Sequence, residues 1–165
     1  MFSSHLLRFG AIFLLSGLVA CNPFRKDNAV ELDAASTTLN YQWNATLASP
    51  ESLAGITQMN GYASMAPSRN GASTVVTVDL ANASPGGLHP WAVRRGECGA
   101  PSSSEAFGTA DAYAPLKVGS DGRSHASVSL PIRTPTNGQY FVVLHASDAN
   151  ARTVVACGNL SAPTR

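Results

Sequence analysis

An alternation of apolar and polar residues with a period of two runs through much of the chain. It is clearest over residues 41–47, 75–80 and 125–130. Successive side chains of a β-strand point to opposite faces, so this spacing predicts strands with one buried face. Two apolar runs, 140–145 and 153–160, are further predicted strands. Because no segment shows the 3.6-residue period of a convincing amphipathic helix, the sequence predicts an all-β fold.

Short turn sequences separate these runs. They contain the Asn-Gly, Asp-Gly and Gly-Gly pairs that favour tight turns, and they lie at 69–71, 84–87, 120–122 and 136–138. Seven or eight short strands separated by such turns predict a β-sandwich or a flattened Greek-key barrel. Residues 99–114 have no periodicity and are predicted to form a long loop.

The first twenty residues have the pattern of an export signal, because Arg8 precedes an apolar run at 11–20. This run is about half of the ~20 residues that a membrane-spanning helix needs. It ends in Leu18-Val19-Ala20-Cys21, which resembles a lipobox. We therefore expect residues 1–20 to be a lipoprotein signal peptide and Cys21 to be the lipidated first residue of the mature chain. The alternative is an ordinary signal peptide in which the cysteine after the apolar run occurs by chance.

The segment after Cys21 predicts a tether and a location. In enterobacterial lipoproteins, an aspartate directly after the lipidated cysteine keeps the protein in the inner membrane. This chain has Asn22 at that position, which by resemblance favours the outer membrane. We therefore expect the protein in the cell envelope, lipid-anchored to the outer membrane and facing the periplasm. Residues 21–37 are small, polar and aperiodic, which predicts a lipidated N-terminus and flexible tether. Residues 38–165 are then enough for one domain.

The charge of the chain argues against one class of partner. The chain has eleven Lys and Arg residues and ten Asp and Glu residues, and its basic residues are not clustered into a stripe. Proteins that bind nucleic acids need clustered positive charge to contact phosphates. We therefore expect no nucleic-acid partner, but contact with the membrane through the lipid and with an envelope protein. A homodimer stays open as an alternative.

With Cys21 assigned to the lipid, Cys98 and Cys157 remain as an even pair in an oxidising compartment. A bridge between them would close a loop of about sixty residues, worth about 4 kcal/mol in the chain-entropy model. The alternative is a thiolate metal or redox site. Such sites use CxxC spacing or nearby histidines, which this sequence lacks, so we expect a structural disulfide.

Two segments resemble the signature regions of the copper,zinc superoxide dismutase family. Residues 87–98, GLHPWAVRRGEC, are similar to the family's G-x-H-G-F-H-V-H strand and the cysteine after it. Residues 154–160, VVACGNL, are similar to its closing A-C-G-x-I strand. Segments 115–122 and 141–145 also resemble family stretches, the latter a strand that ends in a metal-binding histidine. The resemblance spans residues 38–161 and implies an eight-stranded Greek-key β-barrel or sandwich with one disulfide.

Most of the metal ligands that this resemblance implies are missing. Two copper histidines of the family fall at Ala92 and Arg94. Alanine cannot coordinate a metal, and a guanidinium stays protonated. The histidine shared by the two metals and the remaining zinc histidines would fall within residues 99–124, which contain none. Of the four copper ligands, only His145 has a counterpart.

The other histidines suggest no catalytic set. His89 matches a structural histidine of the family, and His125 lies on a polar strand face, where solvation is the expected role. For His145 two interpretations stay open: a histidine satisfied by backbone hydrogen bonds, or a relic ligand that binds copper weakly. The family's substrate-guiding arginine falls at Val154, and Arg152 is a candidate substitute.

The sequence therefore favours a pseudoenzyme with no catalytic residues and no cofactor, acting as a binding or structural module. Trp91, Arg94 and Arg95 form a candidate binding surface, since an aromatic ring beside two cations suits a carboxylate-bearing or aromatic partner. The alternative places Trp91 in the core and leaves the arginines merely solvated. The rival function is a divergent superoxide dismutase or a copper-binding protein with a residual metal site.

Overall fold

The computed structural model describes residues 41–56, 58–99 and 105–163, all of which belong to one compact unit, Leu32–Arg165. Two single turns of 3₁₀ helix, Glu51–Leu53 and Ala110–Ala112, are the only helical segments in these ranges, so the all-β prediction is confirmed. The nine strands are β1 (Trp43–Ala48), β2 (Asn60–Pro67), β3 (Thr74–Ala81), β4 (Leu88–His89), β5 (Trp91–Arg95), β6 (Leu116–Lys117), β7 (Ser124–Leu130), β8 (Tyr140–His145) and β9 (Val154–Leu160).

Seven strands form one antiparallel sheet in the order β5-β8-β9-β1-β2-β3-β7, while β4 and β6 pair separately. The large sheet curls into a half-barrel. Two glycines permit close backbone approach within it. A Cβ atom on Gly61 would collide with the carbonyl oxygen of Asp79, and one on Gly158 with that of Thr46. The strands β2 and β3, and β9 and β1, therefore approach each other closely at residues without side chains.

Most apolar positions of the predicted alternation lie inside this curl; Tyr41, which is 54% exposed, does not. Val76, Val78 and Leu80 of β3 are buried, while the residues between them are half-buried or exposed. Trp43 of β1 is also buried, and its indole N–H donates a 2.9 Å hydrogen bond to the carbonyl of Pro135. Burial of the apolar face supplies the main stabilisation of such a sheet.

Part of the predicted long loop belongs to the core. Over residues 105–114 it contains no strand, but Phe107 and Tyr113 are buried. The Tyr113 hydroxyl donates a 2.6 Å hydrogen bond to the carbonyl of Phe107. Burial raises the pKa of Tyr113 to about 12, with a backbone hydrogen bond to Val93 acting in the opposite direction. The loop is thereby fixed against the sheet on this side.

The predicted disulfide is confirmed. Cys98 and Cys157 are bonded, with their Cα atoms 5.8 Å apart. The backbone N–H of Cys98 also donates a 2.7 Å hydrogen bond to Oδ1 of Asn159. The chain that follows β5 is thus attached to β9 at two neighbouring points.

Several predictions concern residues outside the described ranges. The signal peptide, Cys21 and the tether over 21–37 all lie there, so they stay predictions. Within the described ranges, no helix combines the length and the hydrophobicity required to cross a membrane.

Candidate functional site

Of the predicted surface of Trp91, Arg94 and Arg95, the structure places Trp91 in the core, as the alternative interpretation expected. Its side chain is 4% exposed, and its indole N–H donates a 2.9 Å hydrogen bond to the carbonyl of Ala114. Its ring also packs edge-on against Tyr113, with the ring centroids 5.0 Å apart. Since neighbouring side chains of a strand alternate in direction, Trp91 and Arg94 project to opposite faces of β5.

The outer face of β5 adjoins apolar residues of β8. Arg94 lies directly opposite Phe141, and Ala92 lies opposite Val143. Val143 in turn lies opposite Cys157 of β9. Side chains that are opposite each other in an antiparallel pair share one face. A small apolar cluster of Phe141, Val143, Cys157 and the half-buried Val154 therefore forms outside the main core.

This cluster is the floor of a cavity of about 530 Å³, which we call the disulfide cavity because Cys98 and Cys157 both line it. Three charged side chains also line it: Arg94, Arg152 and Glu51. Its other lining residues are Ala48, Ser49, Pro50, Gly99, Phe141, Val143, His145 and Val154. The site thus combines an apolar floor with two cations and one carboxylate.

His145 lies at the end of β8 and is only 9% exposed. Its backbone N–H donates a 2.8 Å hydrogen bond to Pro90, and its carbonyl lies 3.0 Å from Nδ1 of the buried His89. Its own Nδ1 is buried and has no hydrogen-bond partner among the described residues. Burial, and then the positive charge of Arg94, lower the pKa of His145. The imidazole is therefore neutral at pH 7 and offers the disulfide cavity an uncharged polar group.

The residues around His145 do not fit a copper centre. Ala92 and Arg94, at the positions where the family resemblance requires imidazoles, lie opposite Val143 and Phe141. A permanently charged guanidinium opposes the binding of a cation. In the described part of the chain, no three His, Cys, Asp or Glu side chains are grouped so that they could hold a metal ion.

The remaining predicted residues have different environments. Arg152, the candidate substitute for the family's guiding arginine, is exposed and lines the disulfide cavity. Arg95 is exposed and does not line the cavity. His125 is exposed, as expected, and its Nδ1 lies 2.7 Å from Oδ1 of Asp79.

The sequence analysis missed the cavity floor formed by Phe141 and Val143. A signal was present, because β8 reads YFVVLH and all six residues are buried. A strand that is apolar on both faces indicates that the outer face is also covered or recessed. The sequence alone does not tell which neighbouring residues cover it.

Comparison of the sequence with models of protein families and with curated proteins finds no match.

Proposed function

We propose that this protein is a lipid-anchored domain of the bacterial cell envelope that faces the periplasm and binds an organic carboxylate without catalysing a reaction. The observation that carries the proposal is the disulfide cavity, in which Arg94 and Arg152 stand over an apolar floor. The outer membrane is the proposed site of attachment, through the lipid on Cys21.

The proposed fold is a Greek-key arrangement like that of the superoxide dismutase family. Three neighbour pairs of the large sheet, β5 with β8, β9 with β1 and β3 with β7, are not consecutive in the chain. In a Greek key, a strand pairs with one that lies several strands away in the sequence. The bridge between Cys98 and Cys157, which ties the loop after β5 to the last strand, also supports the proposal.

The composition of the cavity favours a carboxylate on an apolar body. Arginine binds carboxylates through charge-assisted, often bidentate hydrogen bonds. Phe141 and Val143 line the cavity with apolar side chains that an aromatic ring or a short aliphatic chain would contact. The volume of about 530 Å³ falls within the roughly 300–1,000 Å³ range of small-molecule sites.

The two cysteine sulfurs and the serine hydroxyl of the cavity are already engaged, which supports binding rather than catalysis. Cys98 and Cys157 are joined in the disulfide. The hydroxyl of Ser49 donates a 2.8 Å hydrogen bond to the carbonyl of Val155 and accepts one from the N–H of Met59. Covalent catalysis needs a nucleophile held next to a base and open to substrate.

The binding proposal is tested with two probes of the same shape. Phenylacetate carries a carboxylate, and phenylacetamide replaces it with an uncharged amide. In calorimetry on the full chain in detergent, we expect phenylacetate to bind more tightly than phenylacetamide. Arg94→Met should weaken phenylacetate binding by about tenfold or more, since a hydrogen bond to a charged group is lost. Arg95→Met is the matched control and should bind as the wild type does. Equal binding of both probes, or equal effects of both substitutions, would refute the carboxylate site.

The lipid anchor is tested separately by Cys21→Ser. The substitution should move the protein from the membrane fraction to the soluble periplasmic fraction, because the acylated thiol is absent. Unchanged membrane association would overturn the anchor and would leave the outcome of the phenylacetate experiment unaffected.

A further inference from the structure

A second surface lies on the outer face of the sheet, on β9, β1, β2, β3 and β7. The register of β1, β2, β3 and β7 aligns short polar side chains in one row, and Ser161, which follows β9 directly, extends it through a bridge to Asn44. The row is Ser161, Asn44, Ser64, Thr77 and Ser127. With neighbouring strands about 4.8 Å apart, this row is about 19 Å long. All but Ser127 line a shallow depression of about 560 Å³. We call this surface the hydroxyl face.

Tyr62 is the one aromatic side chain that lines this depression. It lies in the adjacent row, opposite Thr46 on one side and Asp79 on the other. Its side chain is 70% exposed, so the ring is available to a ligand. The negative π-face of an aromatic ring attracts polarised C–H groups, such as those along one side of a sugar ring.

The hydroxyl face is nearly uncharged. Asp79 is the only Asp, Glu, Lys, Arg or His that lines the depression, and His125 provides it with a hydrogen bond of 2.7 Å. A polyanion would find no cation there. A protein partner would find little of the apolar surface that forms the centre of interfaces, since Tyr62 is the only large apolar group. The ligand that matches this charge distribution is uncharged and polar.

The face also has hydrogen-bonding groups to offer. Within the described part of the chain, the hydroxyls of Thr46, Ser64 and Thr77 make no side-chain hydrogen bond. Asn159 uses its Oδ1 to accept from the Cys98 N–H, which leaves its amide N–H groups as donors. Asn44 is held in place by Gln42, whose amide donates to it over 2.9 Å. These are groups that pair with the hydroxyls of a carbohydrate.

From these observations we propose that the hydroxyl face binds an uncharged polysaccharide chain. Tyr62 stacks against one sugar ring, and the row from Ser161 to Ser127 hydrogen-bonds to the rings on either side. The length of the row suits several consecutive sugars rather than one. This proposal does not depend on the carboxylate site, because none of these residues lines the disulfide cavity.

The test uses two uncharged oligosaccharides, chitotetraose and cellotetraose, with calorimetry on the full chain in detergent. At least one of them should bind to the wild type. Tyr62→Ala should weaken that binding by about three- to tenfold, as expected for loss of an aromatic contact. Tyr62→Phe keeps the ring and should retain most of the affinity. Tyr41→Ala is the matched control, because Tyr41 is also exposed (54%) but does not line the depression.

A second substitution tests the polar row independently, in case Tyr62→Ala weakens binding by altering the structure rather than by removing the ring. Ser64→Lys places a long charged side chain in the middle of the row and should abolish binding, with the circular dichroism spectrum unchanged. The proposal is overturned if neither oligosaccharide binds the wild type. It is equally overturned if Tyr62→Ala and Tyr41→Ala have the same effect.

Discussion

Arg94 of β5 lies directly opposite Phe141 of β8, so a guanidinium and a phenyl ring share the outer face of the sheet. The same face carries Ala92, opposite Val143, and the buried His145 at the end of β8. Where the family resemblance would place two copper-binding imidazoles, the structure has one cation and apolar surface. This arrangement therefore determines which ions this face accepts.

The first prediction concerns copper. The unmodified protein should show no appreciable superoxide dismutase activity when copper and zinc are supplied, because a redox centre needs a preorganised ligand set. Ala92→His with Arg94→His should raise copper affinity, since His145 then supplies a third imidazole on the same face. Full activity should not return, because residues 99–124 contain no histidine.

Copper binding is measured by competition with a chelator, and activity is measured on the same samples. Ala92→His with Arg95→His is the matched control, because Arg95 lies opposite Tyr140 rather than Phe141. This control should gain less affinity. Stoichiometric copper binding together with dismutase turnover in the unmodified protein would show that it is a superoxide dismutase and would contradict this prediction.

The fold could be predicted where apolar side chains alternate strongly. In β3 the period of two, with Val76, Val78 and Leu80 inward, identified the strand and its buried face. The strand β2 was missed, because Gly61 and Ala63 occupy inward positions and small residues give little contrast in hydropathy. Close backbone packing against β3 selects small residues there, and that contact involves positions distant in sequence.

The site was only partly predictable for a related reason. In Trp91-Ala92-Val93 all three residues are buried, so the sequence contains no alternation that separates the inward Trp91 from the outward Arg94. The disulfide could be predicted, because two cysteines remain once Cys21 is assigned to the lipid and because the expected compartment is oxidising. The position of Arg94 beside the apolar floor depends on the pairing of β5 with β8. These strands are separated by forty-four residues of other structure, and local sequence does not encode that pairing.

The second prediction concerns pH and His145. Its pKa is lowered below the ordinary value of 6.5 by burial and by Arg94. As the pH falls below 6.5, the unfolded chain takes up a proton that the folded chain does not, so the free energy of unfolding decreases. Above pH 6.5 this contribution to the pH dependence vanishes.

Urea unfolding at pH 7 and pH 5 measures this effect. His145→Gln should lose less stability between the two pH values than the wild type does, whatever its stability at pH 7. An identical loss in both proteins would show that His145 titrates normally in the folded state.

The third prediction concerns the disulfide. Replacing Cys98 and Cys157 together by serine should lower the free energy of unfolding by about 2–5 kcal/mol, because the unfolded chain is no longer restricted by the bridge. Mass spectrometry of the non-reduced wild type should find no free thiol at either residue. Reduction of the wild type should reproduce the loss seen in the variant. Two free thiols in the purified protein would contradict the bond.

The last prediction concerns the curl of the sheet at Gly158. This residue lies opposite Val142 in the pairing of β9 with β8, and a Cβ atom there would meet the backbone carbonyl of Thr46 in β1. A backbone atom cannot rotate away, so Gly158→Ala must displace β9 from β1. We expect the free energy of unfolding to fall by about 1–3 kcal/mol, the usual cost of overpacking. Gly119→Ala is the control, because the nearest atom there belongs to the side chain of the exposed Asp121 and not to the backbone. Urea unfolding should show a clearly larger loss for Gly158→Ala than for Gly119→Ala, and equal losses would mean that the curl does not depend on this contact.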